Sequence, residues 1–565
     1  MTPSETLWRT AYRHPTPWDQ AFAPLTLPAM LDASVAKQGP APLLDFLGRR
    51  YSYDAVADAV ARVACGLRAL GIEKGDRVGL FLPNVPHYVA AYYGALALGA
   101  TIVNFSPLYT VNELAAQVAD SGTKLLVTLT ATALLPIALQ VMDRGGIENL
   151  VVGSIAGVLP PGKRTLYQLF KRGEISALPD DPRVTRFSTL IKNDGRCALP
   201  RLSPDDVALI QYTGGTTGSP KGAMLTHQNL TAVARQVDAI DPDHSADDRI
   251  VGVLPFFHIF ANTCVLNRTV HHGGMIAMLP RFEAKATLKT IARVQATALP
   301  GVPTMYQALL DHPDTGKTDF TSLRTCISGG APLPVEVKAR FEKITGAKVV
   351  EGYGLTESSG VVSCNPYEGL NKTGTIGQPL PGTHVKLLDR EDPTRDAPDG
   401  TAGEIAFRGP QVMKGYWDQP EADAEVFVDG WMRTGDVGAI DADGYLSIVD
   451  RLKDMIAVGG FKVFPSVVEA QLYQHPAVKE ALVIGIPDAY AGERPKAFVT
   501  LQAGAQTDGE ALMEWLNPKV GKHERVVAVE VRESLPKTLV GKLSRKELVT
   551  EERAKAVFAA ARPRR

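Results

Sequence analysis

A loop rich in glycine and hydroxyl side chains lies before the middle of the chain. Residues 212–222 read YTGGTTGSPKG, with four glycines, three threonines, a serine and a lysine. Glycine lets backbone N–H groups approach an anion closely, hydroxyls donate hydrogen bonds to it, and Lys221 adds positive charge. The loop does not match a Walker loop, because Pro220 stands directly before this lysine and Gly222 follows it. We interpret it as a phosphate-binding loop of another kind rather than as a flexible exposed turn.

Three later segments carry residue types that suit the other parts of a nucleotide. EGYGLTESSG (351–360) places Tyr353, whose ring can cover a purine, before Glu357, whose carboxylate can bind Mg²⁺ beside phosphates. DGWMRTGDVG (429–438) offers Asp436 to the two hydroxyls of a ribose, and PKTLVGKLSRKEL (536–548) offers Lys542. Singly, these residues could be a core tyrosine, a capping aspartate and a surface lysine. Their occurrence together, in this order, favours a nucleotide site.

The elements that must position these residues follow a regular alternation. Short apolar strands such as RVGLFL (77–82) and ATIVNF (100–105) alternate with amphipathic segments, which predicts an α/β fold of parallel sheets covered by helices. From about residue 373, short strands separated by Gly, Asp and Pro turns indicate a β-rich subdomain. After DRLKD (450–454) a compact α+β segment follows. We therefore predict a large N-terminal domain over residues 1–450 and a small C-terminal domain over 451–565.

The composition is that of a globular protein with small-molecule partners. A net charge of −1 gives no electrostatic reason to expect nucleic acid. The five cysteines are scattered and lack a CxxC pair, which indicates a reducing cytoplasm rather than a disulfide framework or a zinc site. No charged side chain occurs between Arg77 and Glu113, but Pro83, Pro86 and Pro107 interrupt this stretch. We expect a buried βαβ unit there rather than a membrane span.

Residues 155–200 are irregular and locally basic. Four cations flank four apolar or aromatic side chains in this segment: Lys163, Arg164, Lys171 and Arg172 beside Leu166, Tyr167, Leu169 and Phe170. The charge pattern favours a solvated surface insertion. Contact with an anionic membrane surface is the alternative.

Taken together, these segments resemble the adenylate-forming superfamily of acyl-CoA synthetases, luciferases and adenylation domains. The resemblance runs through YTGGTTGSPKGAMLTH, LPFFHIFAN, SGGAPL, EGYGLTE, GEIAFRGPQVMKGYW, DGWMRTGDVGAIDADGYLSIVDR, GGFKVFP and PKTLVGKLSRKEL, and so covers nearly the whole chain. NFSPLYTVNEL, CNPY and DRLKDMIAVGGFKVFP look most like bacterial long-chain fatty-acid–CoA ligases. The resemblance implies a two-step reaction: ATP and a fatty acid give an acyl adenylate and pyrophosphate, and the CoA thiol then displaces AMP.

The resemblance also implies roles for individual residues. Its ATP- and AMP-binding residues fall on Thr213, Gly214, Gly215, Thr216, Thr217, Gly218, Ser219, Lys221, Gly329, Gly330, Ala331, Pro332, Glu351, Gly352, Tyr353, Gly354, Asp436 and Arg451. Its catalytic residues fall on Lys542, Glu357 and Thr356, and Mg²⁺ would be held by Glu357 and Thr217. Its acyl pocket falls on Phe257, His258 and Phe260, and its CoA channel on Gly459, Gly460, Phe461 and Lys462. A lone histidine among phenylalanines is usually a core residue, so that reading of His258 stays open.

In the family the small C-terminal domain is mobile, and the resemblance places its hinge at Lys453, within 450–454. Rotation there would withdraw Lys542 after adenylation and bring GGFKVFP towards the CoA channel. The expected partners are a fatty acid, ATP and CoA, without nucleic acid, and the expected location is the cytoplasm. A homodimer and a peripheral contact with the inner face of the cell membrane stay open.

Several alternative functions remain. An aryl- or medium-chain acid–CoA ligase would use the same chemistry, and a stand-alone loader would transfer the acyl group to a carrier protein. A luciferase-like oxidase would differ by oxygen uptake and light. A non-enzymatic binding protein is disfavoured because Lys542, Glu357 and Asp436 occur together.

Overall fold

The structure is a computed structural model that describes residues 3–213, 220–451, 454–459, 461–488, 490–538 and 543–560. Its α-helices are α1 Pro3–Thr10, α2 Leu27–Gln38, α3 Tyr53–Ala69, α4 Pro86–Ala97, α5 Val111–Ser121, α6 Leu135–Asp143, α7 Ile155–Val158, α8 Pro161–Phe170, α9 Phe187–Leu190, α10 His227–Ala239, α11 Ile259–Ala261, α12 Arg268–His272, α13 Ala284–Val294, α14 Pro303–Leu310, α15 Val335–Thr345, α16 Pro420–Val426, α17 Pro465–Leu472, α18 Gly509–Leu516 and α19 Arg545–Ala560.

The strands are β1 Pro42–Phe46, β2 Arg49–Ser52, β3 Arg77–Leu80, β4 Thr101–Asn104, β5 Thr123–Leu129, β6 Asn149–Gly153, β7 Val184–Arg186, β8 Val207–Thr213, β9 Lys221–Thr226, β10 Arg249–Gly252, β11 Met275–Met278, β12 Thr325–Gly329, β13 Lys348–Tyr353, β14 Ser363–Cys364, β15 Gln378–Pro379, β16 His384–Leu388, β17 Gly403–Arg408, β18 Gly415–Tyr416, β19 Phe427–Val428, β20 Trp431–Ile440, β21 Leu446–Arg451, β22 Ile456–Val458, β23 Phe461–Val463, β24 Val478–Asp488, β25 Gly492–Leu501 and β26 Val529–Val531.

Local capping chemistry sets where several helices begin and end. Helix α5 begins after Thr110, whose hydroxyl accepts the Glu113 N–H while the Glu113 carboxylate accepts the Thr110 N–H. It ends at Gly122, whose φ of 60° suits a residue without a Cβ atom. Helix α10 begins in the same way, with Thr226 and Asn229 as the reciprocal pair. These signals are local in the sequence, so they position the helices independently of the sheets.

The larger of two compact units comprises Ala11–His384 and Phe407–Met432. One sheet in it has the strand order β18-β9-β8-β4-β3-β5-β6-β7. The six strands from β8 to β7 in this order pair in parallel, whereas β9 pairs antiparallel with both β8 and β18. A second has the order β10-β11-β1-β2, and a third the order β12-β13-β14-β15. Parallel strands with intervening helices confirm the predicted α/β class.

The charge-free stretch forms β3, α4 and β4, which confirms the predicted buried βαβ unit. Helix α4 is apolar on all sides, and its tyrosines are fully buried. Their hydroxyls need partners in the core, and the Tyr88 hydroxyl donates to Asn104 Oδ1 at 2.8 Å, while that of Tyr93 donates to Asn267 Oδ1 at 2.8 Å. Among the described residues, no helix is both long and apolar enough to cross a membrane.

The smaller unit comprises Met1–Thr10, Val385–Ala406 and Arg433–Arg565. Strands β16, β17, β20 and β21 are neighbours in that order in one sheet, and β23, β22, β25 and β24 in another, with β26 beside β25. Helices α17 and α18 pack an apolar core against the second sheet through Val468, Leu472, Leu512 and Leu516. The domain boundary expected at 450–454 stays a prediction, and Lys453 lies outside the described residues.

The cysteines depart from expectation. Cys65 on α3 and Cys197 form a disulfide across 132 residues of sequence, although the scattered spacing predicted no disulfide. Cys264, Cys326 and Cys364 are buried and free. The prediction about the first pair was wrong because the pairing depends on how residues 191–203 return to α3, which sequence spacing does not reveal.

Candidate active site

The predicted phosphate loop joins two paired strands. Strands β8 and β9 are antiparallel neighbours, and Thr213 at the end of β8 lies opposite Lys221 at the start of β9. Six predicted loop residues lie outside the described residues: Gly214, Gly215, Thr216, Thr217, Gly218 and Ser219. The hairpin pairing nevertheless fixes both ends of the loop, so Thr213 and Lys221 are held at its base.

Tyr416 connects the base of this loop to the predicted metal ligand. Strand β18 pairs with β9, with Tyr416 opposite Ala223. The Lys221 ammonium lies 5.1 Å from the centroid of the Tyr416 ring, and the Tyr416 hydroxyl donates to Glu357 Oε1 at 2.7 Å. Burial raises the pKa of Tyr416 well above its ordinary value, so the phenol keeps its proton. The hydroxyl of Tyr416 thus orients the Glu357 carboxylate, and its ring attracts the Lys221 ammonium.

A short backbone network holds Glu357 in place. Residues Thr356–Ser358 form a 3₁₀ turn, and the Glu357 carbonyl accepts the Met413 N–H at 2.8 Å. Ser359, which follows this turn, has a φ of 55°, and its carbonyl accepts a hydrogen bond from the Thr263 hydroxyl at 2.6 Å. Hydrogen bonds at Glu357 and at Ser359 therefore hold the segment that carries this carboxylate, and Thr356 begins the same turn.

The residues expected on the adenine side lie where two parallel strands end. Strands β12 and β13 are parallel, with Gly329 opposite Gly352. The segment Gly330–Pro332 follows β12, and Tyr353 ends β13. In α/β sheets, ligands bind outside the carboxyl ends of the strands. The structure thus places Gly329, Gly330, Ala331 and Pro332 near Glu351, Gly352 and Tyr353 at one edge of a sheet, and their role in nucleotide binding stays a prediction.

Two glycines in this region permit close approaches. A Cβ atom on Gly354 would lie 2.3 Å from the Gly360 carbonyl oxygen. A Cβ atom on Gly329 would lie 2.9 Å from the ring of Phe260. Both distances are shorter than van der Waals contact, so larger residues would displace either the EGYG segment or this ring.

Glu351 is a carboxyl group in a largely buried setting. Burial raises its pKa to about 7, against the lowering effects of the Leu333 N–H and the Lys338 ammonium. The Leu333 N–H lies 3.4 Å from Glu351 Oε1. Glu351 therefore changes its charge near neutral pH, beside the residues expected to bind the nucleotide.

The predicted acyl-pocket residues lie around α11. Phe257 and His258 are half-buried and Phe260 is buried. The Nδ1 atom of His258 accepts the Phe260 N–H at 3.3 Å and so caps α11. Asn262–Asn267 then forms a π-helical turn, a feature often found at functional sites. The cap is a structural role for His258, and its place in an acyl pocket stays a prediction.

In the smaller unit, the structure brings the two predicted ribose residues together. Asp436 on β20 lies opposite Arg451 on β21, and Arg451 Nε contacts Asp436 Oδ1 at 2.9 Å. Of the predicted CoA-channel residues, Gly459 has a φ of 58°, and a Cβ atom added to it would meet no atom of the described residues within 4 Å. Lys542 and Gly460 lie outside the described residues, as do the side chains of Phe461 and Lys462.

Comparison with known proteins identifies the family of this chain. The AMP-binding enzyme family matches residues 31–417, and the C-terminal domain of AMP-binding enzymes matches residues 467–542. The chain belongs to the AMP-binding enzyme family. Its fold is therefore that of an adenylate-forming enzyme, with a large N-terminal and a small C-terminal domain.

Individual relatives cover nearly the whole chain. A long-chain-fatty-acid–CoA ligase of Bacillus subtilis (strain 168) is 39% identical over 97% of this chain and 98% of its own length. A feruloyl-CoA synthase of Amycolatopsis sp. is 37% identical over 89% of this chain and 94% of its own. The crystal structure of ATP-bound MatB from Rhodopseudomonas palustris is 29% identical and covers 93% of this chain and 99% of its own, with a TM-score of 0.81.

The sequence analysis missed Tyr416. It is the Tyr of GEIAFRGPQVMKGYW, a segment that carried the resemblance without a residue being singled out. The feature that could have identified Tyr416 from the sequence is an aromatic residue directly after a glycine, at the end of a short strand. Its partner Glu357 lies 59 residues away in sequence, and this contact follows from the pairing of β18 with β9.

Proposed function

We propose that this protein is an AMP-forming long-chain fatty-acid–CoA ligase, which converts a fatty acid, ATP and CoA into acyl-CoA, AMP and pyrophosphate through an acyl adenylate. The identity to the Bacillus subtilis ligase, which extends over 97% of this chain, carries the proposal. The arrangement of Lys221, Tyr416 and Glu357 at the base of the phosphate loop supports its first half-reaction.

In the first step, a carboxylate oxygen of the fatty acid attacks the α-phosphorus of ATP, and the bond to the bridging oxygen of pyrophosphate breaks. Lys221 and the loop hold the departing phosphates, and Thr356 contacts the α-phosphate. Lys542 stabilises the negative charge that develops between the carboxylate and the α-phosphate in the transition state. This is electrostatic catalysis by a positioned cation and involves no proton transfer. Asp436 and Arg451 hold the ribose.

Magnesium suits the donors of this site. Mg²⁺ is usually bound by one or two carboxylates together with substrate phosphates, and Glu357 supplies one such carboxylate. Within the described ranges, no group of three or more His, Cys, Asp or Glu side chains forms a metal site. Bound there with the nucleotide, the cation would neutralise phosphate charge. Glu357 and Thr217 are the residues that we assign to it.

In the second step, the CoA thiol attacks the acyl carbonyl carbon, AMP leaves and the thiol proton passes to solvent. We assign the hinge to Lys453 and the CoA channel to Gly459, Gly460, Phe461 and Lys462. Because ATP and CoA are intracellular cosubstrates, we place the reaction in the cytoplasm, although a reducing compartment disfavours the Cys65–Cys197 disulfide.

An aryl-acid–CoA ligase is the second candidate, and the 37% identity to a feruloyl-CoA synthase favours it. The deciding experiment measures AMP and acyl-CoA formation with ATP, Mg²⁺ and CoA across acetate, octanoate, oleate and a cinnamate. A maximum with oleate supports the proposal. A maximum with the cinnamate keeps the mechanism and replaces the substrate, and AMP release without acyl-CoA would point to a carrier protein as acceptor.

The role of Lys542 has its own test. Lys542→Ala should reduce adenylate formation by about 10²-fold or more, since it removes a charge placed at the transition state. Transfer from preformed acyl-AMP to CoA should stay within about twofold of the unmodified enzyme. Equal losses in both half-reactions would contradict the assignment.

A further inference from the structure

Helix α8, Pro161–Phe170, lies on the surface of the larger unit and has an exposed apolar face. None of its residues is buried. Leu166, Leu169 and Phe170 are exposed by 56%, 57% and 78%. They occupy positions i, i+3 and i+4, so they share one side of the helix. We call these three side chains the α8 face.

Two cations of the helix bind backbone carbonyls of the larger unit. The Lys163 ammonium donates to the Leu47 carbonyl at 2.8 Å, and the Arg164 guanidinium donates to the carbonyls of Ala156 and Gly157 at 3.0 and 3.1 Å. Tyr167 is the only half-buried residue of the helix. Both cations thus anchor the helix through backbone carbonyls, while the three side chains of the α8 face stay exposed.

Both ends of the surrounding segment are fixed. Before α8, the carbonyls of Gly157 and Val158 accept hydrogen bonds from Arg49 at 2.8 Å and from the Tyr51 hydroxyl at 3.1 Å. After it, the Ser176 N–H donates to the Thr130 carbonyl at 2.7 Å. The helix is thus a built projection, and its exposed face is a defined surface.

The charged residues of the segment that contains α8 are almost all positive. Between residues 155 and 178 the chain carries Lys163, Arg164, Lys171 and Arg172, with Glu174 as the single acidic residue. Lys171 pairs with Glu174. A cavity of about 440 Å³ lies at the foot of the helix, lined by Arg49, Arg50 and Arg164 together with Gly48, Leu159, Pro160 and Pro161. Guanidinium groups favour phosphate because their N–H groups can donate in pairs.

From this combination, we propose that α8 and the arginine-lined cavity form a docking surface for an anionic phospholipid bilayer. The α8 face enters the boundary between headgroups and acyl chains, and the surrounding cations bind lipid phosphates. A protein partner would have to bury three large apolar side chains within a basic rim, whereas a bilayer surface offers apolar and anionic groups together. The surface also lies on the enzyme proposed above to consume a bilayer-soluble acid, but its test does not depend on that function.

The experiment is co-sedimentation of the purified full chain with vesicles. Vesicles of phosphatidylcholine with one third phosphatidylglycerol are compared with pure phosphatidylcholine, at low and at high salt. The unmodified protein should bind the anionic vesicles and lose binding with rising salt, because surface attraction is screened. Leu166→Ser/Leu169→Ser should weaken binding at least about tenfold. Lys171→Gln/Arg172→Gln should weaken it about fivefold for each charge removed at low salt.

Matched controls separate the surface from general effects. Leu199→Ser/Ile344→Ser removes two apolar side chains of similar exposure, 52% and 46%. Lys285→Gln/Lys289→Gln removes two exposed charges from α13. Both controls should bind like the unmodified protein, and all four variants should keep its melting temperature.

Three results would overturn the proposal: no binding of the unmodified protein to anionic vesicles, equal binding to neutral ones, or unchanged binding of the α8 variants. The first would leave a protein partner as the occupant of the α8 face. Failure here would leave the acid series unaffected, and a substrate other than a fatty acid would leave vesicle binding unaffected, so the two proposals fail separately.

Discussion

Replacing Tyr416 with phenylalanine tests whether this side chain positions the predicted magnesium ligand. Tyr416→Phe removes the hydroxyl that donates to Glu357 Oε1 at 2.7 Å and keeps the ring 5.1 Å from the Lys221 ammonium. The change therefore separates the two contacts of one residue. The fold should tolerate it because ring volume and packing are kept.

The size of the effect follows from the role of the hydrogen bond. A residue that orients a metal ligand typically contributes 10- to 100-fold in metal affinity. A hydrogen bond to a charged group contributes about 1.5–3 kcal/mol. Because Glu357 is half-buried and water can replace part of the interaction, we expect the lower part of both ranges. The Mg²⁺ concentration that gives half-maximal adenylation should rise about 10- to 30-fold.

The assay is pyrophosphate release at fixed ATP and acid across a magnesium titration, with CoA transfer from preformed acyl-AMP as the second readout. Tyr416→Phe should shift the titration and recover most of its rate at high Mg²⁺. Tyr51→Phe removes a tyrosine hydroxyl bond to a carbonyl elsewhere in the larger unit, and it should leave the titration unchanged. A lower rate that excess Mg²⁺ does not restore, or an unshifted titration, would refute the reasoning.

Two further substitutions probe the EGYG segment. Gly354→Ala should lower the free energy of unfolding by more than about 1 kcal/mol and reduce adenylation, because its Cβ would lie 2.3 Å from the Gly360 carbonyl oxygen. Chemical denaturation measures this change. The control Gly316→Ala should be neutral, because its Cβ would meet no atom of the described part of the chain within 4 Å. Burial raises the pKa of Glu351 to about 7 from 4.5, so the folded chain keeps a proton that the unfolded chain loses between these pH values. The part of the free energy of unfolding that depends on this proton is fully present below pH 4.5 and is lost as the pH rises to 7. Glu351→Gln should therefore raise stability relative to the unmodified protein by about 1–3 kcal/mol at pH 7.5 and not at pH 4.5, and parallel pH profiles of unfolding would contradict it.

The sequence was sufficient for features that depend on local pattern. Alternating apolar strands and helices predicted the parallel sheets, and the interrupted charge-free stretch predicted the buried unit around α4. The nucleotide residues near the ends of β12 and β13 were numbered from the family resemblance, because the alternation of strands and helices does not single them out.

Features that depend on distant pairing could not be predicted in this way. Tyr416 reaches Glu357 because the two-residue strand β18 pairs with β9, nearly 200 residues earlier in the chain. Two residues are too few to show a periodicity. The capping of α11 by His258 likewise depends on backbone geometry, since the sequence shows only a histidine among phenylalanines.

The disulfide between Cys65 and Cys197 has a consequence for how the chain responds to cleavage. It turns residues 65–197 into a closed covalent ring, and the exposed helix α8 lies within it. A protease that cuts α8 would open the ring without releasing a fragment. In a denaturing gel without reductant, the two pieces would migrate as one molecule. Only a reductant would separate them, so cleavage in α8 would be detected only in a reducing gel.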